Sequence, residues 1–533
     1  MYYHTLRYLK WIQIRYQIWY RVRSKWRNFF KYKYPLSLPS HPVTLKLINW
    51  IDKPETLSGD SFKFLNLSTQ FINNEIDWNF SALGKLWNYN LNYLDFLLQP
   101  DMAKERGIKF IHDFVQNLNN KSTGLEPYPI SLRGINWIKF LTKYGIQNPG
   151  IDDSLFAQYK ILLDNLEYHL LGNHLLENGF SLLFGAFYFN DLRLYYKAKE
   201  ILETELNEQI LDDGGHFELS PMYHQIILDR ILDCINLVQN NKQFDDQEPL
   251  LVLMKEKSVK MMQWINCMTF SNGDIPLLND SAKGIAPSTQ QLNDYAIRLK
   301  LIPAENIRNI HLNSGNSYLN DSGYRRINGS DYECIIDVGK PGPEYQPGHA
   351  HADTFNFEMY LHGKPIIVDT GVSTYEKNKR RQLERSTYSH NTIQVGSFDS
   401  SEVWDGFRVA GRASVIFLEE NSTGIIARHD GYGHLRLVHQ REFIFEASSF
   451  CITDRLIGDR KLNVVSRFHF HPEMVIKSES DRIYFDGGYL IFENAENISV
   501  EDYFYAPEFN VLIPAKVVEV IFKKELKSIF HFE

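Results

Sequence analysis

The side chains best suited to chemistry in this 533-residue chain lie between Pro347 and Thr392. The stretch opens Pro347-Gly348-His349-Ala350-His351-Ala352-Asp353, runs through Phe355 to Tyr360 into Ile366-Ile367-Val368-Asp369, and closes on Ser389-His390-Asn391-Thr392. The alternation after Thr354 and the apolar run Ile366 to Val368 read as two strands joined at His362-Gly363-Lys364. On extended chain, side chains at i and i+2 point the same way, which predicts His349 and His351 on one face. Asp369 ends the second strand and His390 follows about twenty residues later, so both can converge there. His351, Asp369 and His390 together suit a borderline divalent ion such as zinc or manganese, and His349 is left for other work. A histidine pair on a strand is equally an ordinary polar face, so chemistry here needs a second half-site.

The N-terminal part offers one in two motifs. In Leu171-Gly172-Asn173-His174-Leu175-Leu176-Glu177-Asn178-Gly179, one helix ends at Gly172 and the next begins with Asn173 as its cap. In Asp212-Asp213-Gly214-Gly215-His216-Phe217-Glu218-Leu219-Ser220-Pro221-Met222-Tyr223-His224, a Gly-rich loop enters a helix whose first turn carries Pro221 and Tyr223. Taken singly, Asn173 is a helix cap and Tyr223 a core aromatic.

Together with the histidine stretch, these motifs resemble the heparinase II/III-like superfamily of polysaccharide lyases. The likeness runs over roughly residues 100–480. It also takes in Arg133-Gly134-Ile135-Asn136-Trp137-Ile138, Asp274-Ile275-Pro276-Leu277-Leu278-Asn279-Asp280-Ser281, Gly406-Phe407-Arg408-Val409 and Phe468-His469-Phe470-His471-Pro472. The resemblance implies a helical toroid followed by a β-sandwich, with an anionic uronate polysaccharide held between them and cleaved by β-elimination. It implies that Asn173, with His174, meets the substrate carboxylate, that Tyr223 is a base, an acid or both, and that His349 is the partner base or a carboxylate contact. A tyrosine at its ordinary pKa of about 10 is a poor base, so a neighbouring Arg, His⁺ or metal field is expected to favour the phenolate. The metal at His351, Asp369 and His390 is implied to be structural. Arg133, Trp137, His216, Arg408 and His469 become candidate cleft residues. Glycosaminoglycans (heparan sulfate, hyaluronan, chondroitin sulfate) rank first as substrates and alginate next. A non-catalytic polysaccharide-binding or biosynthesis-associated protein on the same scaffold, and a hydrolase using the metal to activate water, are the competing readings.

The elements that must position these residues read as multidomain α+β. From Leu57 to Ile302 apolar residues recur at helical spacing over 81–98, 101–118, 131–144, 152–170, 174–189, 192–207, 221–240 and 248–269, which predicts an α/α toroid, incomplete, over 51–310. Short alternating runs divided by Gly, Asn and Asp turns predict an antiparallel β-sheet domain over 311–533. Residues 1–50 form a basic aromatic segment and a Pro/Ser linker. A helix there is expected to dock on the protein body in preference to an anionic membrane surface. Residues 1–51 hold ten Lys or Arg and no acid, so the net charge of −8 becomes −18 over the remainder. That balance argues against nucleic acid as a partner. Four scattered cysteines exclude a CxxC zinc site and predict no disulfide framework. No transmembrane run or signal peptide is evident, so a cytoplasmic location is expected.

Overall fold

The computed structural model describes residues 7–71, 75–303, 315–460 and 462–533. The expected domain junction at 310/311 and the first six residues of the basic segment lie outside the described residues. A first helix, α1 (Trp11–Phe29), is followed by irregular chain and a small three-stranded meander, β1 (Leu57–Ser58), β2 (Ser61–Phe64) and β3 (Leu67–Gln70). The meander corrects the expectation of helix from Leu57 onward. Phe62 and Phe64 alternate inward against Phe96 and Trp87, giving a period of two, and Gly59 makes its turn at φ +57°.

The helices that follow are α2 (Lys85–Tyr93), α3 (Lys104–Gln116), α4 (Pro127–Tyr144), α5 (Pro149–Asp164), α6 (Gly172–Phe189), α7 (Leu192–Gln209), α8 (Pro221–Asn240), α9 (Glu248–Cys267) and α10 (Thr289–Arg298). Each helix packs on its neighbour or next-but-one neighbour in sequence, in an incomplete toroid around one continuous apolar core. Prolines at the first turns of α4, α5 and α8 lie where no intrahelical N–H bond is lost. The helix expected over 152–170 stops at Asp164. There Asn165 Nδ2 donates back to the Ile161 carbonyl at 2.7 Å, and the Glu167 N–H leaves the helix to donate to Asn178 Oδ1 at 2.9 Å. This turn delivers the chain to Leu171 and Gly172, both at positive φ, immediately before Asn173.

The C-terminal part is antiparallel. A five-stranded sheet runs β4 (Ser317–Leu319), β5 (Tyr324–Asn328), β6 (Tyr332–Asp337), β7 (Phe357–Leu361), β8 (Lys364–Ile367). A short helix, α11 (Lys379–Arg385), precedes β9 (Ile393–Val395) and the hairpin β10 (Val403–Trp404) and β11 (Arg408–Val409). The rest comprises β12 (Val415–Asn421), β13 (Gly424–His429), β14 (Val438–Phe445), β15 (Ser449–Ile457), β16 (Val464–His469), β17 (Lys477–Glu479), β18 (Arg482–Phe485), β19 (Gly488–Glu493), β20 (Asn497–Tyr505), β21 (Ile513–Phe522) and β22 (Glu525–Phe532). Eight strands form one sheet in the order β12-β13-β14-β15-β22-β19-β18-β17, and four form another in the order β20-β21-β16-β9. A bridge between Ile367 and Phe470 joins the five- and four-stranded sheets. Phe357, Phe443, Phe450, Phe468 and Phe530 meet in the core between the layers, which makes a β-sandwich.

The domains share apolar surface as well as polar contacts. Phe270 of the helical part stacks on Tyr360 of β7 at 3.8 Å, and the Trp264 indole N–H donates to Ser322 Oγ at 2.9 Å. The segment Leu277 to Ser281 straps them together. Asn279 Nδ2 donates to the Leu219 carbonyl at 3.0 Å, Ser220 Oγ donates to the Asp280 carbonyl at 2.8 Å, and the His351 N–H donates to Asn279 Oδ1 at 3.0 Å.

Candidate active site

The strap carries Asp280 into the boundary between the domains, where it is fully buried. His349 Nδ1 lies 2.9 Å from Oδ2 and His351 Nε2 2.9 Å from Oδ1, while the Arg381 guanidinium of α11 donates to both oxygens, at 2.7 Å on Oδ2. Burial alone would raise the carboxyl pKa. The Arg381 charge, with hydrogen bonds from His349, His351 and Arg381, holds it well below the usual carboxylate range. An anionic Asp280 draws the Nδ1 proton of His349, so in the neutral imidazole the lone pair lies on Nε2. The two histidines do reach the same partner, but the strand expected to carry them is a loop.

His349 Nε2 faces Asn173, whose Nδ2 lies 3.4 Å away and donates to Glu218 Oε2 at 2.8 Å. Glu218 also accepts the Asn173 backbone N–H at 3.4 Å, so one carboxylate orients both the start of α6 and its side chain. Tyr223 lies in the first turn of α8, which is capped by Ser220 Oγ accepting the Tyr223 N–H at 3.3 Å. Its ring packs against His349 with centroids 4.0 Å apart and planes tilted by 33°, and its hydroxyl is 3.3 Å from that of Tyr375. Burial pushes the Tyr223 phenol well above its ordinary pKa, and Tyr375, Asp280 and Glu218 push the same way. This corrects the expectation of a favoured phenolate: the resting group is a phenol. His174, partly exposed beside Asn173, has Nδ1 3.0 Å from Glu167 Oε1 and packs against Tyr128 at 4.7 Å. Burial opposes its charge, but Glu167 outweighs that and raises its pKa.

The chain from Asn173 and Tyr223 to His349 therefore converges. Of the candidate cleft residues, Arg408 is half exposed beside Phe407, whose ring packs on Tyr375 at 5.2 Å and on His349 at 6.1 Å. The other four are corrections. Arg133 is fully buried, with its guanidinium donating to Gln158 Oε1 at 2.7 Å and to the Asn92 carbonyl at 2.8 Å, and it lies over Phe114. Trp137 is buried with its edge on Phe114. His216 is buried beside Gln209 Oε1 at 3.0 Å. His469, pushed down to about 3 by burial, is buried against Asn391 Oδ1 at 3.1 Å. All four brace the fold around the cleft.

The expected metal set is also arranged differently. Asp369 Oδ2 lies 2.6 Å from His390 Nδ1 and accepts Asn356 Nδ2 at 2.6 Å, and its Oδ1 accepts the Gly371 N–H at 3.0 Å. It thus stands behind His390 as an orienting carboxylate. His351 Nδ1 and His390 Nε2, with rings 5.3 Å apart, and Asp353 Oδ2 are buried without a partner among the described residues. Among those residues no three His, Cys, Asp or Glu side chains make a set that could hold an ion. The residues as placed do not fit the expected triad, though two free ring nitrogens remain side by side.

Glu218, Asp280, Tyr375 and Arg381 were not singled out from sequence as site residues. Glu218 and Asp280 sit inside motifs that were noticed, but Lys379-Arg380-Arg381-Gln382-Leu383-Glu384-Arg385 reads as a solvated helix. In the structure Arg381, Glu384 and Arg385 turn inward while Leu383 is exposed, an inverted pattern that periodicity cannot signal.

The comparisons with known proteins agree with this architecture. Residues 154–306 match the heparinase II/III N-terminus model, and residues 312–529 match the heparinase II/III-like C-terminal model. The chain belongs to the heparinase II/III-like superfamily. A heparin-sulfate lyase of Bacteroides stercoris is 24% identical over 358 residues, covering 63% of this chain and 50% of that protein. One of Pedobacter heparinus is 25% identical over 361 residues, covering 62% of this chain and 52% of that one. The chain thus spans about half the length of these relatives. A crystal structure of heparinase III superposes with a TM-score of 0.70 at 17% identity, covering 86% of this chain and 80% of that one. A heparan sulfate lyase from Pedobacter heparinus gives 0.55 at 17% identity, covering 89% and 81%. These structures share the toroid and sandwich fold.

Two outcomes test the geometry. Asp280→Ala leaves the Arg381 guanidinium buried without its counter-ion and is expected to cost about 3–5 kcal/mol in urea unfolding. An NMR titration should place His174 above its ordinary pKa, and Glu167→Gln should lower it, leaving only Glu218 and Glu177 to oppose burial. The His174–Glu167 contribution to stability is full below pH about 6.5 and is lost as pH rises through the folded-state pKa.

Proposed function

We propose that this superfamily member is a polysaccharide lyase that cleaves uronate-containing polysaccharides by β-elimination, leaving a 4,5-unsaturated uronyl end. The observation that carries this reading is the Tyr223 ring packed at a tilt on His349, centroids 4.0 Å apart, with the Asn173 amide beside the same imidazole at the domain boundary. Elimination must remove a C5 proton alpha to a carboxylate, which is poorly acidic until that charge is offset. The Asn173 amide and a protonated His174 supply hydrogen bonds and charge for the carboxylate as it takes on enolate character. His349 Nε2, the lone-pair nitrogen of the neutral imidazole when Nδ1–H is bonded to Asp280, takes the C5 proton. The electron pair forms the C4–C5 double bond and expels the C4 glycosidic oxygen, which receives a proton from the Tyr223 hydroxyl. The raised phenol pKa keeps that proton on Tyr223 at rest; afterwards His349 releases the C5 proton to water and Tyr223 regains one from water, with the Tyr375 hydroxyl 3.3 Å away as a relay.

Glycosaminoglycans are the favoured substrates, heparan sulfate first, because the relatives named above are called heparin-sulfate lyases; alginate is the runner-up. Arg408 supports the choice as an exposed cation beside the cleft. A structural zinc or manganese ion is a further proposal, supported by the partnerless nitrogens of His351 and His390. Such an ion would cross-link two loops, and no step above passes through it.

Purified protein incubated with heparan sulfate, hyaluronan, chondroitin sulfate and alginate should develop the ultraviolet absorbance of a conjugated uronate with at least one of them. Tyr223→Phe should slow that by about 10²–10⁴-fold. New saturated reducing ends under a flat trace would instead favour hydrolysis. For the metal, chelator-treated protein is expected to take up equimolar Zn²⁺ or Mn²⁺ with a rise in melting temperature. Uptake undiminished in His390→Ala would place the ion elsewhere.

A further inference from the structure

Neither the toroid core nor the cleft accounts for the outer face of α1. We propose that α1 seats the protein on an anionic phospholipid bilayer, its apolar stripe entering the lipid interface while its opposite face stays bonded to the toroid.

The inner face is held polar group by polar group. Gln13, fully buried, donates to the Leu170 carbonyl at 3.1 Å, and the Tyr20 hydroxyl donates to the Leu166 carbonyl. Arg23 and Arg27 both reach Asp164, and Tyr16 stacks on Tyr168 at 4.6 Å. The expected docking is therefore present. On the far side Trp11 is 75% exposed, Ile18 56%, Val22 56%, Trp26 57% and Phe29 81%. Their spacing of three, four and seven places them in one stripe along the helix. Exposed Arg15, Arg21 and Lys25 accompany them, with Lys31 and Lys33 just beyond.

Single exposed aromatics are ordinary on a protein surface, whereas a contiguous stripe marks an interaction site. Charge decides the partner. Residues 1–51 contain no acid, so a second copy offering the same face would set like charges against one another. A free sulfated polysaccharide would answer the bases but leave Ile18 and Val22 without apolar partners. A bilayer with anionic headgroups answers both, with rings and aliphatic side chains at the acyl boundary and Lys and Arg among the phosphates. Among the described residues no helix is long and apolar enough to cross a membrane, which fits a helix that lies on the surface.

The test is flotation of the full chain with vesicles of phosphatidylglycerol and phosphatidylcholine in equal parts, beside vesicles of phosphatidylcholine alone. The protein should float with the former and be largely released by high salt. A Trp11→Ser, Trp26→Ser, Phe29→Ser triple variant should bind about tenfold less or weaker still, with an unchanged melting curve by circular dichroism. Equal recovery on both vesicle types, or undiminished binding by the triple variant, would overturn the proposal. So would absent vesicle binding accompanied by a variant-sensitive loss of retention on immobilised heparan sulfate, or of a dimer in sedimentation velocity.

Discussion

A single buried carboxylate governs the site. Asp280 comes from the strap that closes the helical part, its two histidine partners come from a loop of the sandwich, and its arginine comes from α11. Withdrawing such a charge from water is costly unless it is fully hydrogen-bonded. Here four donors converge, so the loop of His349 and His351 has one low-energy arrangement against the toroid. The imidazole that faces Tyr223 and Asn173 is thus oriented by a charge balance located behind it.

How much of this was legible in the sequence depends on the kind of signal involved. The long helices announced themselves because their apolar residues recur at helical spacing, and α8 and α9 fall almost where they were expected. The pair of strands around Gly363 was legible for the corresponding reason, with a glycine at φ +73° in the turn. Asn173, Tyr223 and His349 were found by resemblance and do converge, though periodicity alone would have left them as a cap, a core aromatic and a polar face.

What failed to read through was burial of polar residues. Arg133, His216 and His469 look like sugar ligands because they are rare polar types within recognisable motifs. Each is buried on an internal hydrogen-bond partner, and a one-dimensional pattern does not reveal which polar groups find partners across the fold. Arg381 escaped for the opposite reason, hidden in what looks like a solvated charged helix. Asp369 was legible as a partner of His390 but not as one standing behind it, since spacing does not tell an inner carboxylate from an outer one.

The docking of α1 has a mechanical consequence. Gln13 and Tyr20 bind the carbonyls of Leu170 and Leu166, which lie in the irregular turn leading to Leu171, Gly172 and Asn173. A turn outside the helices and sheets is ordinarily among the first parts of a protein to open locally. Here a separate helix lies along it as a splint. A force that peels α1 from the body would therefore loosen the Asn173 amide before it disturbed the core, and thermal fraying of α1 would be felt at the domain boundary.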